Sequence, residues 1–121
     1  MGRVVFVEDD SAIRKLVQAA LRASPHEIHI AKNGREGLEL VERVRPDVVF
    51  TDVSMPEMDG LELCDAIRAR PHLADTRIVF ITASVQREEI DRYLARGAVA
   101  YIAKPFSTAE LRAQVARLVP A

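Results

Sequence analysis

The chain reads as a single α/β domain, a doubly wound, five-stranded parallel sheet of (βα)5 form with strand order 2-1-3-4-5. Three observations predict it. Apolar runs of strand length alternate five times with stretches of helical period. Four of those runs are continuous in Val, Ile and Phe, the pattern of parallel strands covered on both faces. The connections are short, and right-handed crossovers restrict the topology, for which 2-1-3-4-5 is the common order with five strands.

The elements follow in sequence. The first strand is Arg3-Val4-Val5-Phe6-Val7 and ends at Glu8 and Asp9. The first helix places Ile13, Leu16, Val17, Ala20 and Leu21 at i, i+3, i+4, i+7 and i+8, one apolar face. The second strand, Glu27-Ile28-His29-Ile30, alternates polar and apolar residues and suits an edge. The second helix starts after Asn33-Gly34 and presents Leu38, Val41 and Val44. The third strand, residues 48–51, runs into Asp52 and the loop Val53-Ser54-Met55-Pro56-Glu57-Met58-Asp59-Gly60, whose Pro and Gly mark a turn. The third helix carries Leu63 and Ile67. The fourth strand, residues 77–81, ends at Thr82, and the fourth helix shows Ile90, Tyr93 and Leu94 before Gly97, a suitable C-terminal cap. The fifth strand, residues 99–102, leads to Lys104-Pro105. Ser107 and Glu110 then match a capping box that opens the fifth helix, with Leu111, Val115 and Leu118 on its inner face. No linker, repeat or low-complexity segment interrupts residues 1–121, which are expected to form one domain.

Composition narrows the function classes. A charged fraction of 29% beside 49% hydrophobic residues is that of an ordinary globular chain rather than a disordered one. A net charge of −1 gives no basic face for phosphate backbones, so direct nucleic-acid binding is not expected. The single cysteine, Cys64, rules out an internal disulfide or a Cys-rich zinc site and reads as a small core or boundary residue. His26, His29 and His72 stand at no metal-ligand spacing from one another. No apolar stretch approaches membrane-spanning length and no signal-peptide pattern opens the chain, so no membrane association and a cytoplasmic location are expected.

The chemistry lies at the strand ends. In a 2-1-3-4-5 sheet the ligand crevice opens where strands 1 and 3 part at their C-terminal ends. Glu8 and Asp9 end strand 1 and Asp52 ends strand 3, while Thr82 and Lys104 sit further along the same rim. Three carboxylates at close range repel one another and take up protons or a cation. Oxygen-only ligands suit Mg²⁺, which favours sites that also bind phosphate. With Lys104, such a cation could offset charge on a phosphoryl group moving to Asp52, at about 4 kcal/mol per charge pair at ~4 Å and an effective dielectric of ~20. Aspartate is an established covalent phosphate acceptor.

The motifs Val-Glu-Asp-Asp (7–10), Thr-Asp-Val-Ser-Met-Pro-Glu-Met-Asp-Gly (51–60), Ile-Thr-Ala (81–83) and Lys-Pro-Phe (104–106) resemble the CheY-like receiver domain of two-component response regulators. The resemblance runs the length of the chain. It implies that Asp52 accepts phosphate from a histidine kinase or phosphotransfer protein, and that the chain catalyses only its own phosphorylation and slow dephosphorylation. It implies that Asp9 and Asp52 ligate Mg²⁺ directly, with the Ser54 main-chain carbonyl as a further ligand and Glu8 acting through water. Asp10 falls one place beyond the acidic pair and is expected to cap the first helix. Lys104 would contact the phosphoryl oxygens, its bond to Pro105 is expected to be cis, and Thr82 and Tyr101 match the pair that changes position on phosphorylation. Ser54 and Ser84 occupy positions that the family varies and that tune phosphate lifetime.

The resemblance also directs the signal. The face made by the fourth helix, strand 5 and the fifth helix is expected to bind a downstream protein or a second copy, with Arg87, Glu88, Asp91, Arg92 and Ala95 pointing outward. An alternative is that the chain is the receiver portion of a longer regulator with a DNA-binding or enzymatic output domain. Rivals of other classes fare worse. A flavodoxin-like flavin carrier would meet Glu8-Asp9-Asp10 where a flavin phosphate must sit. A Rossmann dehydrogenase lacks its G-x-G-x-x-G. A haloacid-dehalogenase-type phosphatase lacks its second aspartate, where this chain has Ser54.

Overall fold

A computed structural model describes residues 2–120. Five parallel strands, β1 (Arg3–Val7), β2 (Glu27–Ala31), β3 (Val48–Asp52), β4 (Arg77–Thr82) and β5 (Ala100–Ala103), form one sheet in the order β2-β1-β3-β4-β5. The order and class are those the alternation predicts, and β2 lies at an edge. Five helices cover the sheet: α1 (Ser11–Ala20), α2 (Gly34–Val44), α3 (Gly60–Arg68), α4 (Arg87–Ala95) and α5 (Thr108–Leu118). A single 3-10 turn, Pro71–Leu73, joins α3 to β4; its Pro and exposed His72 carry no periodic signal to announce it.

Alternate residues of each central strand feed two cores. Val4, Phe6, Phe50, Val79 and Ile81 face α1 and α5, where Val17, Leu111, Val115 and Leu118 close over them. Phe6 and Phe50 stack there with centroids 5.6 Å apart. Val5, Val7, Val49, Ile78 and Phe80 face α2, α3 and α4, meeting Val41, Leu63, Ile67 and Tyr93. Each such side chain contributes about 1.5–3 kcal/mol by leaving water, so the central strands are the rigid base on which the rim residues stand.

Helix ends follow local chemistry. The Asp10 carboxylate accepts from the N–H groups of Ala12 and Ile13, at 2.8 and 3.3 Å, and caps α1. Ser107 and Glu110 form the reciprocal capping box of α5, and Asp59 and Glu62 form a second one at α3. Gly97, at φ 94°, follows the last turn of α4 in the left-handed region that glycine reaches without strain.

Two expectations need correction. Leu94, named with Ile90 and Tyr93 as the apolar pattern of the fourth helix, is 49% exposed, because the inner line of this short helix runs through Tyr93 and half-buried Ile90. Strand 5 is not a strand covered on both faces. It closes the sheet as the second edge, with Tyr101 exposed and Ile102 its one buried residue, because only one neighbour and a loosely seated α4 flank it.

Candidate functional site at the strand ends

The sheet register assembles the site. Val7 pairs with Thr51, so the next residues, Glu8 and Asp52, leave the sheet side by side. Thr82 pairs with Ala103, so Lys104 emerges one residue beyond, its N–H donating to the Thr82 carbonyl at 2.8 Å. Glu8, Asp9 and Asp52 each bring a carboxylate oxygen within 4.8 Å of the others. Glu8 and Asp52 are buried and Asp9 is exposed, so the cluster opens to solvent on the Asp9 side.

Lys104 spans the two buried carboxylates. Its ammonium donates to Asp52 Oδ2 at 2.9 Å and lies 3.0 Å from Glu8 Oε1. The second contact is an ion pair without hydrogen-bond alignment, which leaves Glu8 Oε1 buried and unmatched by a donor. The other oxygen, Oε2, accepts from the Asp10 N–H at 3.1 Å. Burial raises the Glu8 pKa to about 7, with repulsion from Asp52 adding to it, against the opposing pull of the Asp10 N–H and of Lys104. Burial works against the charge on Lys104, but its hydrogen bond to Asp52 and the carboxylate charges of Asp52 and Glu8 beside it outweigh that and hold its pKa above the ordinary lysine value. Arg14 supports the acidic loop from α1, its guanidinium donating to the carbonyls of Glu8 and Asp9 at 3.0 and 2.8 Å.

These residues fit a divalent cation of the Mg²⁺ kind. The donors are all oxygen, one of them is a buried carboxylate oxygen lacking a hydrogen bond, and one carboxylate faces water as a partly hydrated ion requires. Cap and cluster separate cleanly here. Asp9→Ala is expected to weaken Mg²⁺ binding at least about tenfold, whereas Asp10→Ala should leave it near normal and lower stability by about 0.5–2 kcal/mol. Isothermal titration with Mg²⁺ beside urea unfolding checks both, and equal effects of the two on metal binding would place the acidic pair one residue out of register.

Asp52, Ser54, Thr82, Tyr93 and Lys104 line one open cleft. The Lys104–Pro105 peptide bond is cis. Thr82 is buried, and its hydroxyl is engaged by the Tyr93 hydroxyl at 3.0 Å and by both backbone groups of Ser84. Tyr101 is 39% exposed on β5 and is not among the hydrogen-bond partners of Thr82. The helical pattern marks Tyr93 only as one of the apolar residues of the fourth helix; it is buried, and its hydroxyl reaches the site. A phenol on an inner helix face needs a buried partner, which is the signal that could have found it. Arg14 was likewise unmarked in the sequence.

The β3–α3 loop is pinned beneath Asp52. The Gly60 N–H donates to the Val53 carbonyl at 2.9 Å, and a Cβ at Gly60 would collide with the Asp52 carbonyl, so only glycine lets α3 begin this close to the site. The remaining candidates lie elsewhere. Cys64 is fully buried, and burial pushes its thiol pKa up, which suits packing and not reactivity. His29 and His72 pair with Glu27 and Glu42, and His26 accepts from the Gly2 N–H. Among the described residues, no helix is long and apolar enough to cross a membrane.

Comparison with known proteins identifies the family. The family model described as the response regulator receiver domain matches residues 4–116. Response regulator MprA of Mycolicibacterium vanbaalenii is 37% identical over 117 residues, covering 97% of this chain and 50% of that protein. Regulatory protein AtoC of Escherichia coli is 35% identical, covering 97% of this chain and 25% of its own length. The chain thus spans a quarter to a half of these relatives. Among solved structures, the chemotaxis protein CheY4 of Vibrio cholerae superposes with a TM-score of 0.91 at 32% identity, covering 98% of this chain and 99% of that one. With four motifs at the ends of four strands, a matching sheet order and this family match, the chain belongs to the receiver domains of two-component response regulators.

Proposed function

We propose that the chain is a Mg²⁺-dependent phosphoryl switch in which Asp52 takes a phosphoryl group from a histidine kinase or phosphotransfer protein. The observation that carries this reading is Lys104 held 2.9 Å from Asp52 beside the cluster of Glu8, Asp9 and Asp52. A carboxylate oxygen of Asp52 attacks the phosphorus of the donor's phosphohistidine. The O–P bond forms as the N–P bond breaks, and the imidazole nitrogen leaves with the electron pair and takes up a proton from water.

Lys104 then transfers its hydrogen bond from the carboxylate to a phosphoryl oxygen, keeping its charge beside the one that moves. Thr82, on the strand between those of Asp52 and Lys104, donates to a second phosphoryl oxygen, and Asp9, Asp52, the Ser54 carbonyl and, through water, Glu8 would hold the cation. The chemistry that cation supplies is neutralisation of phosphoryl charge that three carboxylates would otherwise repel. Hydrolysis by water returns Asp52 and inorganic phosphate, so the chain catalyses its own phosphorylation and slow dephosphorylation and no other turnover.

The responsive surface in this reading is the α4–β5–α5 face, which receives a downstream protein or a second copy. Arg87, Glu88, Asp91, Arg92 and Ala95 are exposed there, beside the apolar Val85, Leu94, Val99 and Tyr101. Charged groups around exposed apolar side chains suit a reversible partner. A second reading, the receiver portion of a longer cytoplasmic regulator with a DNA-binding or enzymatic output domain, is favoured by relatives two to four times as long as the matched segment.

The test is incubation with acetyl phosphate and Mg²⁺. One phosphoryl group should appear, labile to base and to hydroxylamine, and peptide mass spectrometry should locate it on Asp52. No uptake, or a label on another residue, would overturn the reading.

A further inference from the structure

A threonine hydroxyl offers one donor and two acceptor positions, and at Thr82 all three are filled. The Ser84 N–H donates to Oγ1 at 3.0 Å, and the Ser84 carbonyl, 3.2 Å away, takes the hydroxyl proton. The third neighbour is the Tyr93 hydroxyl at 3.0 Å, which with the Thr82 proton committed is the donor of that pair. We propose that Tyr93 is a positioning residue that latches Thr82 in its resting place, so that a phosphoryl group on Asp52 must compete with a buried phenol for the Thr82 hydroxyl. The inference rests on the reading of Asp52 as phosphoacceptor.

The surroundings of Tyr93 make the latch matter. The side chain is 2% exposed and is the one buried residue of α4, and its ring lies against Phe80 with centroids 5.1 Å apart at 54°. Thr82 therefore cannot turn to donate to a phosphoryl oxygen without consequence. The phenol, at the lining of the cleft, either exchanges the Thr82 oxygen for another partner or moves and carries α4 with it. An unpaired buried donor is costly, and α4 is anchored through this same ring. Occupancy of Asp52 is in this way tied to the seating of α4 by a contact separate from Tyr101 on β5.

If the latch holds the resting state, the competent state is a minor fraction, and the apparent affinity for an anion on Asp52 is reduced by that fraction. Tyr93→Phe keeps the ring and removes only the hydroxyl, so it should tighten beryllofluoride binding in the presence of Mg²⁺ about three- to tenfold, the effect of one modest hydrogen bond. In a Thr82→Val background the latch is already gone, and Tyr93→Phe should then change nothing further. Because the chain has no tryptophan and two tyrosines, the emission of a Tyr101→Phe variant reports Tyr93 alone and should change in intensity when beryllofluoride binds. Unchanged or weaker beryllofluoride binding by Tyr93→Phe, in a chain whose wild type does bind it, would overturn the latch alone. A wild type that binds no beryllofluoride would overturn the phosphoacceptor reading together with it.

Discussion

Asp52→Asn will take up no phosphoryl group from acetyl phosphate, and its Mg²⁺ affinity will fall by at least about 10–100-fold, the loss seen when even a residue behind a metal ligand is removed. The amide is close in shape to the carboxylate and should stay within the same buried site, but it lacks the nucleophilic anion. It also removes one of the three carboxylates that approach within 4.8 Å. Lys104, now facing an amide, keeps its ion pair with Glu8 at 3.0 Å, so the rim should remain folded. Repulsion from Asp52 is one cause of the raised Glu8 pKa, and in the variant that pKa should move down. Phosphoprotein mass spectrometry, Mg²⁺ titration and carboxyl NMR of Glu8 check the three statements. Labelling of Asp52→Asn at the wild-type level would remove Asp52 from the chemistry.

Mg²⁺ affinity will fall between pH 8 and pH 5.5, by up to about 30-fold, as Glu8, with a pKa of about 7 in the metal-free fold, takes up a proton that opposes the cation. The same group sets a stability trend of opposite sense. Its folded pKa lies above the 4.5 of an ordinary glutamate, so the folded chain binds the proton more tightly than the unfolded one. The resulting stabilisation is fully present below about pH 4.5 and is lost as pH rises through 7. The metal-free chain should accordingly be about 2 kcal/mol more stable at pH 5.5 than at pH 8. Added Mg²⁺ should restore stability at pH 8 and do little at pH 5.5. Urea unfolding at the two pH values, with and without Mg²⁺, reads both effects. Glu8→Gln, which cannot ionise, should flatten them, and a variant that kept the wild-type pH trend would assign it to another group.

Much of the site was legible because its residues stand at places the chain itself marks. Glu8, Asp9, Asp52, Thr82 and Lys104 each follow an apolar run, and parallel strands of similar length bring their ends to one rim. The cap at Asp10 and the capping box at Ser107 and Glu110 were legible for the same reason: they depend on backbone groups within one helical turn. Leu94 and strand 5 were misplaced because periodicity names an apolar face without saying how much of it a neighbour covers. A short α4 over an edge strand covers little.

The sequence by itself determined the fold class, the strand order and the set of rim residues. These follow from hydrophobic period, chain length and crossover handedness, which are properties of the chain read in order. Only the tertiary structure decided which atoms meet. It made Lys104 bridge Asp52 and Glu8, left Glu8 Oε1 without an aligned donor, and set the Tyr93 phenol 3.0 Å from the Thr82 hydroxyl across eleven residues. Those outcomes depend on sheet register and on the seating of α4 to within an ångström. A hydrogen bond forms or fails within that margin, whereas a hydrophobic pattern is satisfied across a much wider one.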